Sequence, residues 1–317
     1  MISKDQLVVV IRSAGERTEA VCRELVLREV DEKQVHVVRM VPFESALTES
    51  YRIGIESGAK WLMTLDADVL LRENAIRDFL SEAEAMSEDF FHTEGLVYDY
   101  LTGMFRKAGH RMYRTASLSE AMKRVPLPGE TIRPEFKTIQ RMVQAGYPVQ
   151  ETGTVFGIHD FEQSYSDVYR KCVVHATKHA SWLPDLIKRW KSMQESESDF
   201  KVALQAISDG LLVFGSISID KRLFEERSVK VLELLNLKEK NTSFQIQSPG
   251  KRVADTLILA GVVPIELQGV RKFGISVSRK TFLKNMLEER GLFKTVVYIV
   301  GQAIIIIGKA IRCLSDP

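Results

Sequence analysis

The stretch that most constrains this chain is Trp61-Leu62-Met63-Thr64-Leu65, which runs straight into Asp66-Ala67-Asp68. The apolar run is too short for a helix and is bounded upstream by Gly58. It reads as a buried central strand in a parallel sheet covered on both faces. Ligands of open α/β sheets bind beyond the carboxyl ends of the strands, where Asp66 and Asp68 emerge. Two carboxylates one residue apart repel unless a cation sits between them, and a hard divalent ion carrying phosphate oxygens suits both. The competing use of these acids is to cap the helix suggested by Glu73–Ala85. Capping needs one acid, and this strand end has two.

The flanking pattern agrees with such a sheet. Leu7–Ile11 is a β-branched run followed by the polar turn Arg12-Ser13-Ala14-Gly15-Glu16-Arg17-Thr18, and helical spacing continues from Glu19 to Val30. Val35–Met40 reads as a second strand, Pro42 as a turn, and Phe43–Glu56 as a helix that Gly58 ends. Strand, helix, strand, helix, strand predicts a doubly wound, Rossmann-like, mostly parallel sheet. After the helix over 73–86, the segment 90–109 has no clear period. Gly109–Arg114 reads as a return strand, Ser117–Arg124 as a short helix and Phe136–Ala145 as a helix closed by Gly146. Tyr147–Val149 and Thr154–His159 are separate extended pieces. From Phe161 the pattern turns helical, over Tyr165–His179, Leu183–Met193, Lys201–Phe214 and Lys221–Leu237, and 238–251 reads as a polar, mobile connector. The expected division is therefore an α/β domain over 1–160 and a helical region over 161–317.

A length of 317 residues accommodates both parts. A net charge of +2 offers no concentrated basic face for nucleic acid. The three cysteines, Cys22, Cys172 and Cys313, are scattered and odd in number, which points to a reducing compartment. With no signal-peptide pattern at the start, a cytoplasmic body is expected. Within the apolar tail over 292–314, the uncharged run 295–308 is flanked by Lys294, Lys309 and Arg312 and, at about 14 residues, is shorter than the roughly 20 a bilayer span needs. It suits a helix lying in the inner face of a membrane, or equally a core helix or a homo-oligomer contact.

On these residues the chain resembles the GT-A glycosyltransferases, in particular the family 2-like group. Leu65-Asp66-Ala67-Asp68 stands where those enzymes carry their DxD motif, and the Arg12–Thr18 loop where they receive the nucleotide. Gly109–Arg114 is similar to the family's strand bearing a glycine and an arginine. Pro134-Glu135 followed by Gly146-Tyr147 matches an acid pair before a helix that ends in glycine and an aromatic. Here proline replaces the first acid, so only Glu135 carries over. The likeness covers about residues 5–160.

The resemblance implies sugar transfer from a nucleotide-diphosphate donor, a UDP- or GDP-sugar, to a hydroxyl of a glycan or glycolipid such as a cell-surface polysaccharide. Mn²⁺ or Mg²⁺ would neutralise the leaving diphosphate. Asp68 is the expected direct ligand, Asp66 lies nearer the ribose or a metal-bound water, and His159 completes the metal shell; hydrogen bonding to Asp160 is the alternative role for His159. Glu135 is the expected base of an inverting transfer, since an alcohol attacks only as its proton leaves; its position equally suits a helix N-terminus. Arg12, Ser13, Gly15, Arg17, Thr18 and Arg52 are the expected nucleotide contacts. His175 and His179 have helical spacing without an HExxH glutamate. With Lys171 and Lys178 they read as a surface helix face, or as a basic face for an anionic acceptor or lipid. Phe90, Phe91, Tyr98 and Tyr100 would stack on a sugar or fill a core. The competing functions are a nucleotidyltransferase on a similar sheet, against which stands a first loop poor in lysine and glycine, and a non-catalytic sugar- or membrane-binding protein on a transferase-like fold.

Overall fold

The computed structural model describes residues 2–87, 89–212, 219–267 and 270–274, all within the compact unit Met1–Gly274. Strand β1 (Leu7–Arg12) is buried along its whole length and lies parallel to β2 (Val35–Val38) and to β3 (Trp61–Asp66). Burial on both faces is why its sequence is continuously apolar instead of alternating. Beyond β3 the sheet becomes mixed. Strand β7 (His110–Arg114) runs antiparallel to β3, β5 (His92–Asp99) runs antiparallel to β7, and β8 (Val149–His159) runs parallel to β5. Strands β9 (Val263–Leu267) and β10 (Val270–Gly274) extend the far edge, so the path reads β2-β1-β3-β7-β5-β8-β10-β9. Two short strands lie off this path: β4 (Val69–Leu71) pairs with β8, and β6 (Met104–Arg106) pairs with β5.

Helices cover both faces. Ala46, Leu47 and Tyr51 of α2 (Phe43–Ser57) pack on Val8, Val10, Leu62 and Tyr113, together with Leu118 and Ala121 of α4 (Leu118–Met122) and Met142 of α5 (Pro134–Gln144). On the opposite face α1 (Glu19–Leu27), α3 (Ala75–Ala85) and α10 (Pro249–Leu259) pack against β4 and β8. The α/β, doubly wound, Rossmann-like class read from the sequence is therefore present. The helical C-terminal region follows, with α6 (Tyr165–Lys178), α7 (Leu183–Met193), α8 (Ser198–Leu211) and α9 (Glu225–Leu234) around a core centred on Trp190 and Phe200. Trp190 ties that core to the sheet by donating its indole N–H to the Leu101 carbonyl at 2.7 Å.

The segment 90–109, unassigned by pattern, forms β5 and β6, and Phe90 and Phe91 fill the core, at 2% and 0% exposure, as the commoner use of such residues has it. Two local expectations need correction. The two extended pieces after Tyr147 are one strand, β8, whose exposed first half hides the continuity from a pattern reading. The connector over 238–251 is docked. Glu239 accepts the backbone N–H groups of Tyr165 and Ser166 at the start of α6, Lys240 pairs with Asp199 at 2.7 Å, and α10 begins within the connector at Pro249. These are tertiary contacts made by polar residues, which hydrophobic periodicity cannot register. Among the described residues no helix is long and apolar enough to cross a membrane, and the tail over 292–314 lies outside them.

One contact positions the site directly. β4 closes onto β8 at Gly157, where a Cβ would press on the Leu70 carbonyl and reach 2.9 Å from the Leu71 Cα. Gly157→Ala is expected to lower stability by about 1–3 kcal/mol, the usual cost of overpacking a tight core. Thermal unfolding checks this, and an unchanged midpoint would mean that β4 yields freely.

Candidate metal centre

The carboxyl ends of β1 and β3 place the first charges. Their parallel register sets Arg12 directly opposite Asp66. The buried Arg12 guanidinium donates from Nε to Asp66 Oδ1 at 2.8 Å and from a terminal nitrogen to Glu135 Oε1 at 2.8 Å. Burial works against the Arg12 charge, but Asp66 and then Glu135 more than restore it. Glu135, at the start of α5, also accepts from Arg111 and from the Tyr113 hydroxyl. Burial alone would raise its carboxyl; Arg111, Arg12 and these hydrogen bonds instead pull it down to about 2. A carboxylate so fully engaged is a poor proton acceptor. The geometry makes Glu135 a positioning residue, which clamps Arg12 while Arg12 holds Asp66.

The second cluster follows from strand pairing. The turn after β3 folds back into β4, and the β4–β8 register sets His159 opposite Val69, next to Asp68. The parallel β5–β8 register sets Asp99 opposite the same His159. Its Nδ1 lies 2.9 Å from Asp99 Oδ2 and 3.0 Å from Asp160 Oδ2, which turns Nε2 towards Asp68 Oδ1 at 3.6 Å. Asp160 has a left-handed backbone (φ 58°), and its N–H donates to the Asp68 carbonyl at 3.3 Å. Gly109, at φ 67°, lies beneath; a Cβ there would press on Val69 and come within 3.2 Å of the His159 ring and 3.4 Å of Asp66. Only a residue without a side chain lets β7 start so close to the acids.

Cations already occupy this cluster. Lys171, on α6, donates to Asp68 Oδ2 at 2.5 Å and to Asp160 Oδ1, with Gln163 Oε1 at 3.3 Å. Arg106 pairs with Asp99 at 2.5 Å. Burial disfavours a charge on His159, but Asp160 and Asp68 outweigh it and lift the imidazole to about 10. Three carboxylates (Asp68, Asp99, Asp160) thus face three cations (Arg106, His159, Lys171). Lys171 is no surface residue, contrary to the sequence reading: its side chain is 13% exposed and its ammonium reaches both Asp68 and Asp160. Pattern reading missed it, with Asp99 and Arg106, because these residues meet only through long-range pairing. Asp160 adjoins His159 in sequence, and its role as a potential ligand follows from its left-handed turn.

The residues fit a divalent cation. Asp68, His159 and Asp160 each offer a ligand atom, and these atoms all lie within 4.8 Å of one another. Asp68 Oδ1 is buried and makes no hydrogen bond, and the buried Asp160 Oδ2 has only the His159 Nδ1 that it shares with Asp99 and a distant Arg106 at 3.6 Å. A histidine whose Nδ1–H is given to a carboxylate and whose Nε2 faces a further acid is in the orientation metal ligands adopt. Lys171 stands where such an ion would have to enter.

The expected nucleotide contacts divide. Ser13 and Glu16 fold the first loop on itself, the hydroxyl donating to Glu16 at 3.1 Å and accepting from Gly15 N–H at 3.2 Å, while Ala14 and Gly15 stay exposed. Thr18 is fully buried and donates to the Ala67 carbonyl at 2.9 Å, so its hydroxyl fixes the turn between the two aspartates. Arg17 pairs with Glu162 at 3.1 Å and lies over the Phe244 ring. Arg52 is not brought to the acids; it lies on the outer side of α2, paired with Glu49 at 2.6 Å and with Glu56.

No family model matches the sequence, and no curated protein matches it. Among solved structures, a glycosyltransferase involved in glycosylation of the major capsid of PBCV-1 overlaps 49% of this chain and 94% of its own, at 14% identity and a TM-score of 0.37. CMP:2-keto-3-deoxy-manno-octonic acid synthetase in complex with CTP overlaps 49% and 92%, at 12% identity and 0.34. A mannosyltransferase from Pyrobaculum calidifontis in complex with GDP-Man and Mn²⁺ overlaps 80% of each chain, at 10% identity and 0.34. These overlaps are shallow, and the functional reading rests on the geometry of the site.

Two outcomes follow from the charges. Glu135 has a folded-state value of about 2 against an ordinary 4.5, so its stabilisation is fully present above about pH 4.5 and is lost as pH falls through 2. Glu135→Gln should therefore destabilise the protein at neutral pH by about 3–5 kcal/mol, as breaking a buried ion pair does, and by much less near pH 2. Denaturant unfolding across that range reads the difference. Lys171→Met should tighten Mn²⁺ binding in the nucleotide-free protein by at least about tenfold, since it removes a cation in contact with two acids. Calorimetry checks this, and an unchanged affinity would remove Lys171 as a competitor for the ion.

Proposed function

We propose that the protein is a metal-dependent glycosyltransferase that moves a sugar from a nucleotide-diphosphate donor, a UDP- or GDP-sugar, to a hydroxyl of a glycan or glycolipid. The observation that carries this reading is the buried Asp68–His159–Asp160 set, whose Asp68 Oδ1 makes no hydrogen bond, at the carboxyl end of the central strand. Asp68, Asp160 and His159 would hold Mn²⁺ or Mg²⁺, which when bound supplies positive charge to the leaving diphosphate. Arg12 orients Asp66 and leaves its side chain 29% exposed, so the carboxylate can accept hydrogen bonds from ribose hydroxyls. Ala14 and Gly15 are exposed two and three residues beyond Arg12 and offer a place for the base. The candidate ligands Asp68, His159 and Asp160 fall within 1–160, with Lys171 contributed by the helical region. Because Glu135 is engaged with Arg12, Arg111 and Tyr113, an inverting outcome loses its expected base, and a retaining transfer fits this site equally well. A cytoplasmic enzyme working on a cell-surface precursor accords with the reading.

Calorimetry with a panel of nucleoside diphosphates, with and without Mn²⁺, tests the proposal. One nucleotide should bind only with metal, and Asp68→Asn should weaken that binding at least about a hundredfold, two factors of ten at about 1.4 kcal/mol each. Metal-independent binding, or none by folded protein, would sink the transferase reading. Consumption of a nucleoside triphosphate with pyrophosphate release would assign the site to nucleotidyl transfer instead.

A further inference from the structure

The face of α6 that delivers Lys171 to the acids continues away from them. His175 lies one turn on, and Lys178 and His179 two turns on, so the same side of the helix presents all four. His175 is buried at 6% exposure, and its Nδ1 has no hydrogen-bond partner. Its ring lies 5.0 Å from that of His179, which stacks on Trp182 at 3.9 Å and 12°. Arg133, at the N-terminal boundary of α5, donates to the Lys178 carbonyl at 3.3 Å and so brings its guanidinium to the same place. Among the described residues neither Arg133 nor Lys178 has a carboxylate within ion-pair distance, and both are only half buried. Burial, then Arg133 and Arg106, hold the Lys178 ammonium down at about 8; Asp160 opposes them but is already matched by Lys171 and His159. Burial holds the nearby His175 imidazole neutral, at about 4, with Asp99 and Asp160 opposing that shift; its unpartnered Nδ1 and two cations that make no ion pair among the described residues are arranged for an anion.

We infer that Arg133, Lys178 and His175 form a second anion site beside the metal centre, which takes a phosphate or carboxylate group carried by the acceptor. This rests on the donor reading above. The donor's diphosphate belongs with the ion at Asp68 and Asp160, and Lys178 lies seven residues beyond Lys171, about 10 Å along the helix axis, too far to serve the same group. An anionic acceptor anchored there would lay its hydroxyl back along α6 towards the acids. Selectivity among acceptors would then come from a charge located away from the reacting atoms.

The test is calorimetric titration of the full chain with inorganic phosphate in the presence of a chelator. Wild type should bind phosphate, and the double variant Lys178→Met/Arg133→Met should bind it at least tenfold more weakly. The conservative pair Lys178→Arg/Arg133→Lys should retain binding, which separates loss of charge from loss of fold. Asp68→Asn should leave phosphate binding intact. Metal-dependent binding of the nucleoside diphosphate should survive in the Met double variant; if it is lost there, the cluster belongs to the donor site and the inference fails. Phosphate binding that is absent in wild type, or unchanged in the Met variant, also overturns it. UDP-glucuronate bound better than UDP-glucose by wild type, with the advantage lost in the Met variant, would assign the anion to the donor sugar and overturn the acceptor assignment. Should wild type bind no nucleoside diphosphate at all, the donor reading falls while the phosphate result remains legible.

Discussion

Neutralising buried carboxylate charge at the carboxyl end of β3 is the constraint on which this structure depends. An isolated ionised acid costs several kcal/mol in such surroundings, so each one must find a cation or an N–H. The fold meets this in two separate compartments. Asp66 and Glu135 share Arg12, with Arg111 and Tyr113 completing the set. Asp68, Asp99 and Asp160 share Lys171, Arg106 and His159. The two aspartates of one short turn thus have different partners and different freedom, and the two compartments are suited to different parts of one ligand.

The mixed sheet makes the second compartment. Reversing β7 next to β3 and pairing β5 with β8 in parallel bring Asp99, His159 and Asp68 to one place although they lie on two strands and the turn between β3 and β4. Close approach at Gly109 and Gly157 removes the side chains that would hold these strands apart. The helical region then closes the arrangement from outside, since α6 supplies Lys171 and, further along, the basic residues around Lys178. One helix thus contributes Lys171 to the acids of the candidate metal centre and, two turns further on, Lys178, which has no ion pair among the described residues.

Much of the fold and part of the site are legible in the sequence because they depend on local pattern. Trp61–Leu65 had to be a buried strand, since its apolar run is too short for anything else and ends abruptly in charge. Leu7–Ile11, Phe43–Glu56 and the glycine-closed helix over 136–145 follow from burial and turn chemistry in the same way. His159 was singled out through the family resemblance, without its lock on Asp99.

What only tertiary structure decided is the partner of each charge. Lys171 reads as a solvated lysine on an amphipathic helix, and Glu135 as a free helix-start acid; nothing within a few residues of either says otherwise. Lys171 meets Asp68 across 103 positions and Glu135 meets Arg12 across 123. Hydrophobic periodicity reports which face of an element is buried, so the sequence by itself determined the strands, the helices and the emergence of two acids at one strand end. Coulombic pairing depends on distance in space and carries no sequence period, so the sharing of those acids between an arginine clamp and a cation site was decided by the packed chain.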